Sequence, residues 1–228
     1  MNGSPAVADL FVAARRCFVA VRPGVEPAAQ TMIDTAVGVL DEVADGLRVV
    51  ETLPASTIGA TRHLGTLATE PAIGRPPADA VATDAGDLIS LLHRTEALLP
   101  WTRTVGYLDV LSAHYLDNYG YVQLVGPTDV SLVRHDAVRV GLGLWGPHLD
   151  YPEHHHPAEE LYLTMAGCPE FSVDGGEFAA APIGTGVHMS PHRVHALRFG
   201  EAPTLVLYVW TGDVVTDAVL ADGVVVSP

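Results

Sequence analysis

The sequence predicts an α+β protein: a helical region over residues 1–116, then an all-β half over residues 117–228 folded as a sandwich or jelly-roll barrel. Apolar residues before residue 116 recur three and four apart, the spacing that gives a helix one buried stripe. From Tyr119 onward they alternate with a period of two. About eight short strands crowd into roughly 110 residues there, with glycine and proline between them, a sandwich or barrel pattern.

The elements follow in order. Ser4 is a plausible N-cap and Pro5 a first helical residue, ahead of a stripe of Leu10, Phe11, Ala14 and Phe18. A second helix is expected over residues 26–50, with Met32, Ala36, Val39, Leu40, Val43 and Leu47 on one side. Residues 52–80 contain Pro54, Pro71, Pro76 and Pro77 with Gly59, Gly65 and Gly74, and are expected to be loop. Asp84 or Asp87 would cap a third helix bearing Leu88, Leu91, Leu92 and Leu98, and a fourth would run from Leu108 to Tyr115. Strands are expected at Val122 and Leu124, at Val130 and Leu132, and from Val138 through Val140 and Leu142 to Leu144. Others fall at Leu161, Leu163 and Met165, at Phe171 and Val173, and at Leu205, Leu207 and Val209.

Composition narrows the function. With 228 residues, 48% hydrophobic and 17% charged, the chain has material for one folded domain, with or without an extension. Its 12 basic residues are all arginines, so mechanisms that need a Schiff-base or P-loop lysine are excluded. A net charge of −15 without basic clusters argues against nucleic acid and anionic membrane as partners and for a small molecule. Cys17 and Cys168 form no disulfide framework, which points to a reducing compartment. The N-terminal segment lacks a positive start and is broken by Asp9, Arg15 and Arg16, unlike a signal peptide, so a cytoplasmic location is expected. No GxSxG nucleophile elbow and no dinucleotide-type glycine fingerprint is present.

Chemistry concentrates between His148 and His195, which hold seven of the eleven histidines. The first cluster reads Tyr151-Pro152-Glu153-His154-His155-His156-Pro157-Ala158-Glu159-Glu160-Leu161-Tyr162. On extended chain, residues two apart share a face, so His154 and His156 point together and His155 points away. After a turn at Pro157-Ala158, Glu160, Tyr162 and Thr164 would line one face, and Leu161, Leu163 and Met165 the other. A buried carboxylate beside imidazoles is costly unless a cation compensates, and both groups are ordinary ligands of a divalent metal. A further ligand is expected from the second cluster, Val187 to Ala196, for a site of three histidines and one glutamate.

This pattern resembles the cupin superfamily, whose double-stranded jelly roll holds a metal. His154-x-His156-x3-Glu160-x6-Gly167 matches the first cupin motif in spacing. Pro182-Ile183-Gly184 and Pro191-x3-His195 follow the second in order, without its usual asparagine. His195 is then the best third histidine ligand and His188 the runner-up, with His148, His155 and His192 solvated or peripheral. Tyr151-Pro-x-His154-x-His156-Pro-Ala-x-Glu160-x-Tyr162, the segment Asn118 to Pro127, His195-Ala196 and Tyr208-Val-Trp210-Thr-Gly-Asp213 together resemble the cupin-type dimethylsulfoniopropionate lyases. The match runs from about Leu99 to Asp213, roughly half the chain.

The resemblance implies a set of roles. His156, Glu160 and His195 would hold one divalent metal (zinc, iron, manganese, cobalt or nickel), with His154 a further ligand or close neighbour. Tyr151 would be the catalytic base, and Tyr162 would ligate the metal or bind substrate. Trp210, with Tyr208 on the same strand parity and Trp145 alongside, would wall the pocket for a zwitterionic small-molecule substrate. N-terminal helices pack on the barrel in this family and help form a homodimer. The same ligands also serve cupin dioxygenases, isomerases and non-catalytic binding cupins, which stay open as alternatives.

Overall fold

The structure, a computed structural model, describes residues 5–46, 48, 53–69 and 80–221. Helices α1 (Pro5–Val21) and α2 (Pro27–Ala44) both begin on proline, whose missing N–H has no intrahelical partner to lose in the first turn. α1 buries Leu10, Phe11, Ala14 and Phe18, and α2 buries Met32, Ala36, Val39, Leu40 and Val43, the expected stripes. α2 stops well short of residue 50. Gly46 adopts φ +74° and donates its N–H to the Val43 carbonyl at 3.1 Å, a left-handed termination that a glycine makes at little cost. Ser4 and Leu47 lie outside the described residues.

The stretch expected to be loop contains a helix, α3 (Arg62–Thr69), led in by a 3₁₀ turn at Gly59–Thr61. Pro54 precedes it, and Pro71, Pro76, Pro77 and Gly74 lie outside the described residues, so no proline interrupts it. Fully buried Leu64 holds it in the core. α4 (Ala80–Thr95) starts a turn ahead of Asp84 and Asp87, which therefore cap nothing. Both instead pair with Arg16 of α1, at 3.1 and 2.8 Å. Leu88 and Leu92 are buried, whereas Leu98 sits half-exposed on a 3₁₀ turn, Glu96–Leu98. The expected helix from Leu108 to Tyr115 is displaced to α5 (Ala113–Asn118), because extended Ser112 caps it, its Oγ accepting from the Tyr115 N–H at 3.1 Å. A 3₁₀ turn at Val105–Tyr107 precedes it.

Eleven strands follow among the described residues: β1 (Tyr119–Gly126), β2 (Ser131–Arg134), β3 (Val138–Trp145), β4 (Asp150–His155), β5 (Glu159–Ala166) and β6 (Glu170–Val173), then β7 (Ala179–Ala180), β8 (Gly186–Met189), β9 (His195–Arg198), β10 (Thr204–Thr211) and β11 (Val219–Leu220). Val130, expected in a strand, sits in the turn before β2. Two sheets form, in the orders β2-β1-β3-β10-β5-β8 and β11-β4-β9-β6-β7. All pairs are antiparallel except β1 with β2. This is a jelly-roll arrangement.

Strand alternation sorts the core in two. On β10, Leu205, Leu207 and Val209 pack with the aliphatic residues of β1, β3, β5 and the helices, so the outer face of the six-stranded sheet is covered by the helical layer. Val206, Tyr208 and Trp210 point the other way, into an aromatic-rich cluster shared with β4, β6 and β9 of the second sheet. The candidate chemistry lies in that second cluster.

Candidate active site

Strands β4 and β9 bring the two histidine clusters together, with His154 directly opposite His195 in register. His154, His156, Glu160 and His195 are each no more than 2% exposed, while His155 turns away beside Val219 of β11. The Nδ1–H of His156 donates to the Ala158 carbonyl at 3.0 Å, and that of His195 to the Arg193 carbonyl at 2.9 Å. His154 repeats the pattern with Pro152 at 2.8 Å. A carbonyl only accepts, so each ring carries its proton on Nδ1 and presents Nε2 as a lone pair. Burial also holds the His154 and His195 pKa values below the ordinary histidine range, which keeps both rings neutral near pH 7.

Two of those lone pairs, on His156 and His195, converge on Glu160. His156 Nε2 lies 2.7 Å from Glu160 Oε2, and His195 Nε2 lies 3.7 Å from the same atom. Ligand atoms of His156, Glu160 and His195 all fall within 4.8 Å of one another, a cluster able to hold a metal ion. The donor set fits a divalent cation. His156 faces an acceptor at both nitrogens, and a neutral imidazole has a proton for only one of them. His154 is not in this cluster: its Nε2 is buried without a hydrogen-bond partner among the described residues, and its ring packs on His195 at 4.1 Å. His188 goes elsewhere, bridging Glu26 and Glu159 at 2.7 Å each. His148 and His192 are exposed.

Tyr151 joins this face through an irregularity. By alternation alone it would lie opposite His154, but the β4–β9 register shifts between Tyr151 and His154. Its ring therefore stacks on His154 at 3.8 Å, with 13° between the planes. The Tyr151 hydroxyl lies 2.9 Å from that of Tyr107. Burial raises the Tyr151 pKa well above its ordinary value, so a nearby positive charge would be needed for a phenolate near neutral pH. The Tyr162 hydroxyl is 3.4 Å from His195 Nε2.

Beside these groups lies a cavity of about 50 Å³, bordered by Tyr151, Glu160, Tyr162, Tyr208, Trp210 and Trp145. Tyr208 reaches into it because Gly141 opposite has no side chain: a Cβ there would stand 2.4 Å from the Tyr208 hydroxyl. Trp210 borders the cavity and also has other groups against its ring. His156 stacks on its ring at 4.1 Å and the Arg139 guanidinium lies 4.6 Å from its centre, so its faces are already engaged. Arg139, buried among apolar strand residues, also holds Asp217 at 3.1 Å and the Val214 carbonyl at 2.7 Å, which ties the segment after β10 across the cavity. A larger cavity of about 360 Å³, between α3, α4 and the end of β5, contains none of the histidines.

Sequence reading missed Tyr107, Tyr119, Tyr121 and Arg139. Arg139 had a signal, a lone charge in the Val138–Trp145 strand on the parity of Trp145. Tyr107 had none, since only folding brings its turn to the barrel.

The sequence model of the dimethylsulfoniopropionate lyase family matches residues 68–206, more than half of the chain and the span that contains every one of the histidines, Glu160, Tyr151 and Tyr162 discussed for the cavity. The chain belongs to this family. A relative within it, dimethylsulfoniopropionate lyase DddQ of Ruegeria pomeroyi, is 32% identical over 113 residues, 48% of this chain and 54% of the relative. The chain thus matches about half the length of that curated relative. Among solved structures, a chain from the crystal structures of the dimethylsulfoniopropionate lyases RdDddP and RnDddQII superposes with a TM-score of 0.71 at 20% identity, covering 95% of this chain and 98% of the other. The crystal structure of DddQ from Ruegeria pomeroyi DSS-3 gives 0.64 at 21%, covering 86% and 98%. At such identities the likeness is one of fold, and it extends over nearly the whole chain. No described helix is long and apolar enough to cross a membrane.

Proposed function

We propose that this protein is a carbon–sulfur lyase that cleaves dimethylsulfoniopropionate to dimethyl sulfide and acrylate by β-elimination, with one divalent metal at His156, Glu160 and His195 and Tyr151 as the base. The observation that carries the reading is the cluster of those three ligands, whose Glu160 borders the same cavity as the buried Tyr151, in a chain of this family. The sulfonium is already a good leaving group, so no general acid is required. The difficult step is removing a proton beside a carboxylate.

A metal held there would act as a Lewis acid, stabilising the negative charge that develops on the substrate carboxylate. Tyr151 oxygen takes the proton from the carbon next to the carboxylate. The carbon–carbon double bond forms from that electron pair as the carbon–sulfur bond breaks, and its pair leaves on sulfur as dimethyl sulfide. Positioned proton transfer of this kind contributes about 10²- to 10⁴-fold in rate. The sulfonium is a desolvated cation that prefers aromatic faces. Arg139 already lies over Trp210 and would repel a second cation there, and Trp145 is stacked on Tyr119 and on Phe199, so the sulfonium end would lie toward Tyr121, which is not stacked on a neighbouring ring. Tyr162, beside His195, and Tyr208 would then orient the carboxylate end, and His154 supports Tyr151 by stacking.

Headspace gas chromatography over purified protein given dimethylsulfoniopropionate tests this. Dimethyl sulfide release that is abolished by a chelator and by Tyr151→Phe is expected. Silence with each of zinc, iron, manganese, cobalt and nickel would overturn it.

A further inference from the structure

We infer that Tyr107, from the 3₁₀ turn of the helical region, is a positioning residue that fixes the Tyr151 hydroxyl oxygen for proton abstraction. The inference rests on Tyr151 being the base. Tyr107 does not border the cavity and does not reach substrate; it acts through Tyr151 alone.

Two features of the geometry carry this. The Tyr151 ring is already fixed: it stacks on His154 and packs within about 6 Å of Tyr119, Trp145 and Tyr115. What those contacts leave free is the direction of its hydroxyl, a rotor about the C–O bond. Tyr107 Oη, 2.9 Å away, is the hydrogen-bond partner that sets it. The neighbouring hydroxyls are otherwise committed, Tyr115 to the Trp145 indole N–H at 3.1 Å and Tyr119 to Thr104 at 3.0 Å.

The donor count points the same way. Among the described residues these two hydroxyls face only one another; they hold two protons and share one hydrogen bond, so one proton has no acceptor there. When Tyr107 donates, it takes one lone pair of Tyr151 and leaves that oxygen's remaining bonding direction to the cavity. The turn's own burial pattern fits an inserted side chain. Tyr107 is 1% exposed, whereas Val105, Leu108 and Val110 beside it are 73%, 47% and 51% exposed. A buried Phe would supply the same packing, so the hydroxyl is what needs explaining.

The test compares metal-loaded wild type, Tyr107→Phe and Tyr151→Phe, using dimethylsulfoniopropionate with hydrogen or deuterium on the carbon next to the carboxylate. Tyr107→Phe should lower kcat by about 10²-fold, the cost of a misplaced reacting group. Its KM should stay near wild type, its metal content and Tm should not change, and its deuterium isotope effect should rise as proton abstraction becomes more limiting. An unchanged kcat in Tyr107→Phe alongside an inactive Tyr151→Phe would overturn the inference and leave the base in place. So would a loss of activity that tracks a fall in Tm or metal content, which would mean a packing role. An active Tyr151→Phe would remove the base itself, and the inference with it.

Discussion

His154, His155 and His156 are consecutive, yet the fold gives them three different surroundings. His156 faces Glu160, His154 stacks between Tyr151 and His195, and His155 sits half-buried outside the cluster. His156→Ala should therefore reduce bound metal to well below one equivalent, and His155→Ala should leave it intact; metal analysis after gel filtration reads both. Equal losses would mean that the strand faces are assigned one residue out of register. The cysteines separate as clearly. Burial pushes the Cys17 thiol up to about 12, while Cys168 is exposed. A thiol reagent at pH 8 should label one cysteine in the native protein and both in guanidinium, because the thiolate is the reactive form.

At the scale of elements, the helical layer and the six-stranded sheet share one core cluster. Phe18 on α1 is fully buried in the cluster that joins α1, α2 and α4 to the outer face of the six-stranded sheet. Phe18→Ala should cost about 3–5 kcal/mol in chemical denaturation. If the layer is integral, the loss will appear as one shifted transition; a separate early transition would mean that the helices unfold alone. The Arg16 pairs with Asp84 and Asp87, by contrast, are partly solvated, and exposed pairs of this kind contribute about 0–1 kcal/mol each.

For the whole molecule, stability should respond to metal and to pH. Glu160 and its imidazoles are buried in a way that a bound cation offsets, so chelation should lower Tm. At a metal concentration of 100 Kd, binding adds about 2.7 kcal/mol, which for a chain of this size corresponds to roughly 5–10 °C by thermal scanning. The pH dependence has two limbs. His154 and His195 have lowered folded pKa values, so their contribution is present above the unfolded histidine value near 6.5 and is lost as pH falls below it. Cys17 has a raised one, so its contribution is full below the ordinary thiol value and is lost as pH climbs toward 12. Maximum Tm is expected between these limbs, at about pH 7–8.

The amino-acid sequence by itself determined the succession of a helical half and a strand-rich half, the shared face of His154, His156 and Glu160, and the parity of Tyr208 with Trp210. These follow from periods of 3.6 and 2, which are local properties of the backbone. It also carried the family, because the spacing of the histidines, Glu160 and Tyr151 is written along one continuous segment. Tertiary structure alone decided the rest. Helix ends moved where Gly46 and Ser112 found their hydrogen bonds, and α3 formed because Leu64 had a core to enter. Tyr151 reached the His154 face through a register shift that alternation does not predict. Tyr107 came to the Tyr151 hydroxyl from a distant turn, and Arg139 to the cavity from a distant strand. Such contacts depend on which surfaces meet, and the period of a single strand or helix contains no information about that.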